Sequence, residues 1–328
     1  MRRLLQEISV LILGVAVAAA QSNATTAQQQ APSTVTSLAS QMGAQELSLR
    51  IASYEGAIRS GEAQHADHGS MAKLYAGLGN LYASAGLYLK AEDAIKRAIA
   101  DLKDGPRADL ANEFGQLAIV HVELEKTKEA ERDELEALRV REALGDPVHL
   151  ALTWTDLAGL YSIQHKFDKA AEYAQKAYDA ESNLAGISAD DRVAVRQTLG
   201  FALTGNKNCE RGIPILKDAL DLAKQNFGDL GQPVGYSEYL LGFGYWHCGD
   251  EGHAAEWLRR GTTDMRADYG WNRTLYVNAM SQYARFLRTT GRLEEAASAV
   301  EVVKQADAIV DARSMTGMAQ GFRSVGTK

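Results

Sequence analysis

From about residue 44 onward, apolar residues recur at three- and four-residue spacings, and alternating β-branched runs are missing. That period predicts helices throughout and no sheet. A longer period lies on top of it. Small residues fall at Ala91, Ala130, Ala170, Gly212, Ala254 and Ala296, spaced by 39, 40, 42, 42 and 42. Twelve residues before each stands another small residue: Gly79, Ala118, Ala158, Gly200, Gly242 and Ala284. A large apolar residue precedes each of these, at Leu78, Leu117, Leu157, Leu199, Leu241 and Tyr283. Two antiparallel helices come close only where one of them presents little or no side chain, and bulky neighbours fill the space beside that contact. Gly86, Gly249 and Gly291 sit where a turn between two helices needs a left-handed backbone. The pattern therefore predicts six helix pairs over residues 70–311.

Aligned on these positions, the first copy runs Tyr75, Leu78-Gly79, Tyr82, Gly86, Ala91, Ile95, Ala98, and the third runs Trp154, Leu157-Ala158, Tyr161, Phe167, Ala170, Ala177. This resembles the tetratricopeptide repeat. The period near 42, with Leu81-Tyr82, Ala91-Glu92 and Leu144-Gly145-Asp146-Pro147, is similar in style to the repeats of kinesin light chains. The resemblance implies an all-α fold, a right-handed α-solenoid of six antiparallel helix pairs. It also implies that the first helices line a concave groove that takes a protein or peptide. The second copy is degenerate, with His121 where the others carry a large residue, Glu125 at the turn and Glu134 at a bulky position.

The ends read differently. Arg2 and Arg3, an apolar run from Ile8 to Val17 and then Ala18-Ala19-Ala20 have the layout of a secretory signal peptide over residues 1–20, with an uncleaved anchor as the alternative. Residues 21–43, rich in Gln, Ala, Ser and Thr, read as a flexible linker. Residues 44–69 read as a capping helix and connector, and residues 312–328 as a cap or tail. A signal peptide places the chain in a secreted or periplasmic compartment, with a bacterial envelope favoured. The net charge of −7 argues against a nucleic-acid partner, and no later stretch is long and apolar enough to span a membrane.

The sequence contains no phosphate loop, no Gly-x-Ser-x-Gly elbow and no His-Glu-x-x-His, so no catalytic residue and no cofactor is expected. His65-Ala66-Asp67-His68 reads as a solvated connector. The stretch from His247 through Cys248, Gly249, Asp250, Glu251 and Gly252 to His253 has zinc-ligand types, but it coincides with a repeat turn where polar residues and glycine are expected. The main reading is therefore a non-catalytic binding scaffold. The alternative is a metal- or small-molecule-binding protein, or an enzyme, that uses this turn or the aromatics of repeat five.

A 3-4-3 stripe on each first helix marks the expected groove. In repeat five the stripe is Tyr236, Tyr239, Phe243 and Trp246, all aromatic. Phe201 lies on the stripe before it, and Arg285 and Arg288 on the one after. Aromatics with arginine are the composition of binding hot spots. The competing reading packs the aromatics against neighbouring helices. Ala76, Ile119 and Thr155 stand where a chaperone-type carboxylate clamp would need polar groups, which disfavours that mode. Finally, Cys209 opens the second helix of repeat four and Cys248 closes the first helix of repeat five. The start of one should lie beside the end of the other, so a disulfide is expected, against two reduced thiols.

Overall fold

A computed structural model describes residues 44–103, 107–267 and 273–304. The expected signal peptide, linker and C-terminal cap or tail lie outside the described residues. Among the described residues the chain is all α, an α-solenoid of antiparallel helix pairs with no strand. It divides into two compact units, with the boundary in sequence between Gly145 and Asp146.

In the first unit, α1 (Ala44–Ala63) packs on α2 (His68–Ser84), which pairs with α3 (Tyr88–Asp101). This pair is followed by α4 (Arg107–Glu123) and α5 (Thr127–Leu144). Asp67 caps α2 by accepting from the Ser70 amide at 2.9 Å, which satisfies a donor that the helix start leaves unpaired. Gly145 ends α5 in the left-handed conformation at φ 66°.

In the second unit the pairs are α6 (Pro147–Ile163) with α7 (Phe167–Glu181), α8 (Ala189–Gly205) with α9 (Cys209–Phe227), and α10 (Gln232–His247) with α11 (Glu251–Ala267). The last is α12 (Arg273–Thr289) with a helix over 293–304. Asp146 and Ser188 cap α6 and α8, and Pro147 fills the first turn of α6, where its missing N–H costs nothing.

All twelve small positions read from the repeat are buried between the helices of their own pairs. The closest pair shows why they must be small. A Cβ on Gly242 would stand 2.6 Å from the Leu258 amide nitrogen, and one on Gly235 would stand 2.6 Å from that of Met265. The backbones of α10 and α11 meet there, and no side chain fits between them.

All six turns inside the pairs adopt the left-handed conformation, not only the three with glycine. Glu125, His165 and Lys207 have φ of 62°, 57° and 63°, beside Gly86, Gly249 and Gly291. In L-residues this geometry costs roughly 1–2 kcal/mol.

The degenerate second repeat is a polar interior, not a worn one. His121 is buried on α4, with Nδ1 2.6 Å from Asp133 on α5 and Nε2 3.2 Å from Glu92 on α3. Glu92 also accepts from Lys126 at 2.6 Å. Burial pushes the Glu92 carboxyl up, but the hydrogen bonds from Lys126, Lys96 and His121 outweigh it and bring it down to about 2. Where other repeats put a tyrosine or leucine, this one puts an imidazole that ties three helices together.

Candidate functional site

The aromatic stripe belongs to the second unit, where α6, α8 and α10 are first helices of successive pairs and touch directly. Phe201 on α8 lies 6.1 Å, ring to ring, from Phe243 on α10. Phe243 lies 5.3 Å from Tyr239 and 5.2 Å from Trp246, and Trp246 lies 5.4 Å from Phe286 on α12. Phe167, at the start of α7, extends the column toward Phe201 at 6.3 Å.

The structure corrects the expected exposure of most of these groups. Phe201, Tyr236, Tyr239 and Phe243 are at most 3% exposed and belong to the core of the unit. The cause is the packing of α10. Every residue from Val234 to Gly244 is buried, so this helix has no solvent-facing stripe. Burial also holds the hydroxyls of Tyr236 and Tyr239 protonated, well above the usual tyrosine range. Gln197 on α8 donates to Ser237 on α10 at 2.8 Å within the same interface.

Three residues of the expected set stay within reach of solvent. Trp246 and Arg285 are half-buried and Arg288 is exposed. The Arg285 guanidinium lies over the Trp246 ring, 5.9 Å from its centroid. Neither arginine has a carboxylate within ion-pair distance among the described residues.

A lysine and two imidazoles gather at this end of the column. The His247 ring lies 5.1 Å from Phe201, 5.6 Å from Phe243 and 5.8 Å from Phe167. The ring of His165, from the turn between α6 and α7, lies 5.8 Å from Phe167. Lys207, in the turn between α8 and α9, donates to the carbonyl of His247 at 2.5 Å. That carbonyl is at the C-terminal end of α10, where a cation is favoured. Burial, then the charges of Lys207, His165 and Arg285, push the His247 imidazole down to about 4. Its Nδ1 is buried with no hydrogen-bond partner. The rim holds the cations Arg285, Arg288 and Lys207 beside two imidazoles whose protonation burial disfavours, with no acid interleaved among the partners of His247.

Cys209 and Cys248 are joined in a disulfide at this junction, with Cα atoms 5.9 Å apart, as the antiparallel neighbours α9 and α10 require. The bond corrects the metal reading of the neighbouring turn. Cys248 has no thiolate to offer, His247 faces the phenylalanines, and His253 turns the other way to Asp250 at 2.7 Å and the Tyr245 ring at 4.9 Å. The ligand types are adjacent in sequence and separated in space. Phe201, Tyr236, Tyr239 and Phe243 are likewise buried and line no open groove among the described residues.

Sequence reasoning missed His165 and Lys207. The available signal was their position, since each replaces the glycine of Gly86, Gly249 and Gly291 at a turn that disfavours any other residue.

With this geometry established, comparison with known proteins gives the class of repeat. A family model described as tetratricopeptide repeat matches residues 114–149. The sequence match covers that one stretch, and the fold of the helix pairs is similar to that of tetratricopeptide-like repeats. Among solved structures, the apo form of RapI is similar with a TM-score of 0.66 at 11% identity, over 80% of this chain and 93% of that one. BtubC (BKLC) from P. vanneervenii is similar with a TM-score of 0.55 at 21% identity, over 67% and 91% of the two chains. A kinesin-light-chain-like repeat protein of Podosopora anserina gives 0.51 at 15% identity, over 60% and 95%. At these identities the likeness is one of fold. No curated protein matches in sequence.

Proposed function

We propose that this protein is a non-catalytic scaffold that binds a protein or peptide through the cationic, aromatic rim of its second unit. The observation that carries the reading is the set of charges around Trp246. Arg285, Arg288 and Lys207 supply positive charge at one end of the first helices, beside the imidazoles of His165 and His247, and no carboxylate answers Arg285 or Arg288 among the described residues. Arginine stacked on tryptophan is a strong anchor at interfaces. The unanswered charge favours an acidic segment as the partner's contact. The described tetratricopeptide-like fold supports the scaffold reading, and so does a similar structure of a Rap protein complexed with competence and sporulation factor, with a TM-score of 0.60 at 14% identity.

We also propose that residues 1–20 direct export and that the protein works in a secreted or periplasmic compartment. The Cys209–Cys248 bond supports this, because such bonds persist in oxidising compartments and are rare in the cytosol.

The test is site-specific photo-cross-linking in cells. A photoreactive residue at position 288 should trap a defined partner, while the same residue at the exposed Glu256, on a second helix, should not. Equal labelling from both positions would refute a partner face at the rim.

A further inference from the structure

The first unit holds a separate cleft, of about 500 Å³, with α1 and α3 as its walls and α2 as its floor. Its chemistry is ordered in three levels. At one end Tyr82 donates to Glu55 of α1 at 2.6 Å, and the ammonium of Lys90 of α3 lies over the ring, 5.3 Å from its centroid. Seven residues along each helix the same arrangement returns. Tyr75 donates to Glu62 at 2.7 Å, accepts from Arg97 at 3.4 Å and carries that guanidinium 5.5 Å from its ring centroid. Between the two levels, Arg59 on α1 and Asp93 on α3 reverse the signs, above an apolar base made by Leu78 of the floor and Ile58 and Ala94 at the foot of the walls.

Opposite charges thus stand on facing walls at every level, yet no ion pair closes across the cleft among the described residues. The tyrosine rings hold the walls apart. Arg97 instead pairs along its own helix with Asp93 at 3.2 Å. Such a cleft suits a molecule that carries both charges itself.

We propose that this cleft binds a free aliphatic α-amino acid as its zwitterion. The ammonium meets Glu62, the carboxylate meets Arg97 and the side chain lies on Ile58, Leu78 and Ala94. The Arg97 level is chosen over the Lys90 level because a planar guanidinium matches a carboxylate in two parallel hydrogen bonds and an ammonium does not. The apolar base begins one helix turn away, roughly 5.4 Å, within reach of a leucine side chain whose α-carbon sits at Tyr75. A peptide carries its ammonium and carboxylate on different residues and does not present both to one level. The groups are solvent-exposed, so the affinity is modest, with a Kd on the order of 1 mM.

The experiment follows methyl NMR signals of Ile58 and Leu78 in the full chain during titration with L-leucine. Saturable shifts are expected. 4-Methylpentanoate, which lacks the ammonium, isopentylamine, which lacks the carboxylate, and a leucine-containing dipeptide should each bind at least tenfold more weakly. Glu62→Gln and Arg97→Gln should weaken leucine at least tenfold with the circular dichroism spectrum unchanged. The ligand series on the unmutated chain decides the matter if a variant misfolds. No saturable shift with leucine would overturn the proposal, as would equal shifts with the two single-charge analogues. The site lies in the first unit, so its failure leaves the rim of the second unit untouched.

Discussion

Breaking the bond between Cys209 and Cys248 is the perturbation whose size follows most directly from the structure. The bond closes a loop with a sequence separation of 39. In the chain-entropy model a loop of that length constrains the unfolded chain by about 4 kcal/mol, or roughly a thousandfold in the folded-to-unfolded ratio. The native junction retains its other ties in the Cys209→Ala/Cys248→Ala variant. Lys207 still caps α10 and the rings of Phe201, Phe243 and His247 still pack, so the loss should come mainly from the unfolded state. The tryptophans among the described residues, Trp154, Trp246 and Trp257, fall within the second unit and the first unit has none, so tryptophan fluorescence does not report the first unit. With a urea m-value of about 2 kcal/mol/M, the midpoint should fall by about 2 M in the double variant, and equally in the unmutated chain under reductant. A midpoint unchanged by both treatments would refute the reasoning.

Three further outcomes are expected. Burial, then the charge of Asp109, pushes Glu113 up to about 7, and its Oε2 is buried without a hydrogen-bond partner. A carboxyl raised in the folded state contributes stability below about pH 4.5 that is lost as pH rises to 7. Glu113→Gln should therefore stabilise the first unit by about 3 kcal/mol at pH 8 and by almost nothing at pH 4, measured by urea unfolding at each pH. His121→Ala leaves Asp133 facing a void and Glu92 one donor short, and should cost about 3 kcal/mol by the same assay; a loss under 1 kcal/mol would show that the buried triad is not a tie. Glu125→Gly relieves a left-handed backbone at φ 62° and should raise stability by about 1 kcal/mol, read as a higher melting temperature.

The repeat was legible because its small residues answer a local demand. Gly79 and Gly242 are small for the same reason, an abutting helix, and that reason recurs at a fixed period. The disulfide was legible as a consequence of antiparallel neighbours. The aromatic face was not, because a 3-4-3 stripe marks one side of a helix without saying what covers it. A signal was present, however. Helix α10, QPVGYSEYLLGFGYWH, is apolar almost all round, and such a helix is buried on every side. The left-handed turns at Glu125, His165 and Lys207 were legible only through repeat register, because nothing in those residue types announces a left-handed backbone. The His121 triad was hidden for a different reason. Its three members are scattered over 41 residues of sequence and meet only when α3, α4 and α5 pack.

The central claim is that the cationic rim of the second unit, and not its buried aromatic column, recognises a partner. It is tested most directly by the affinity of the partner trapped from position 288 for the unmutated chain and for Arg285→Glu/Arg288→Glu. The account predicts at least a tenfold loss of affinity, a weaker dependence of binding on salt, and an unchanged urea midpoint by tryptophan fluorescence. Undiminished affinity in the charge-reversed protein would contradict it.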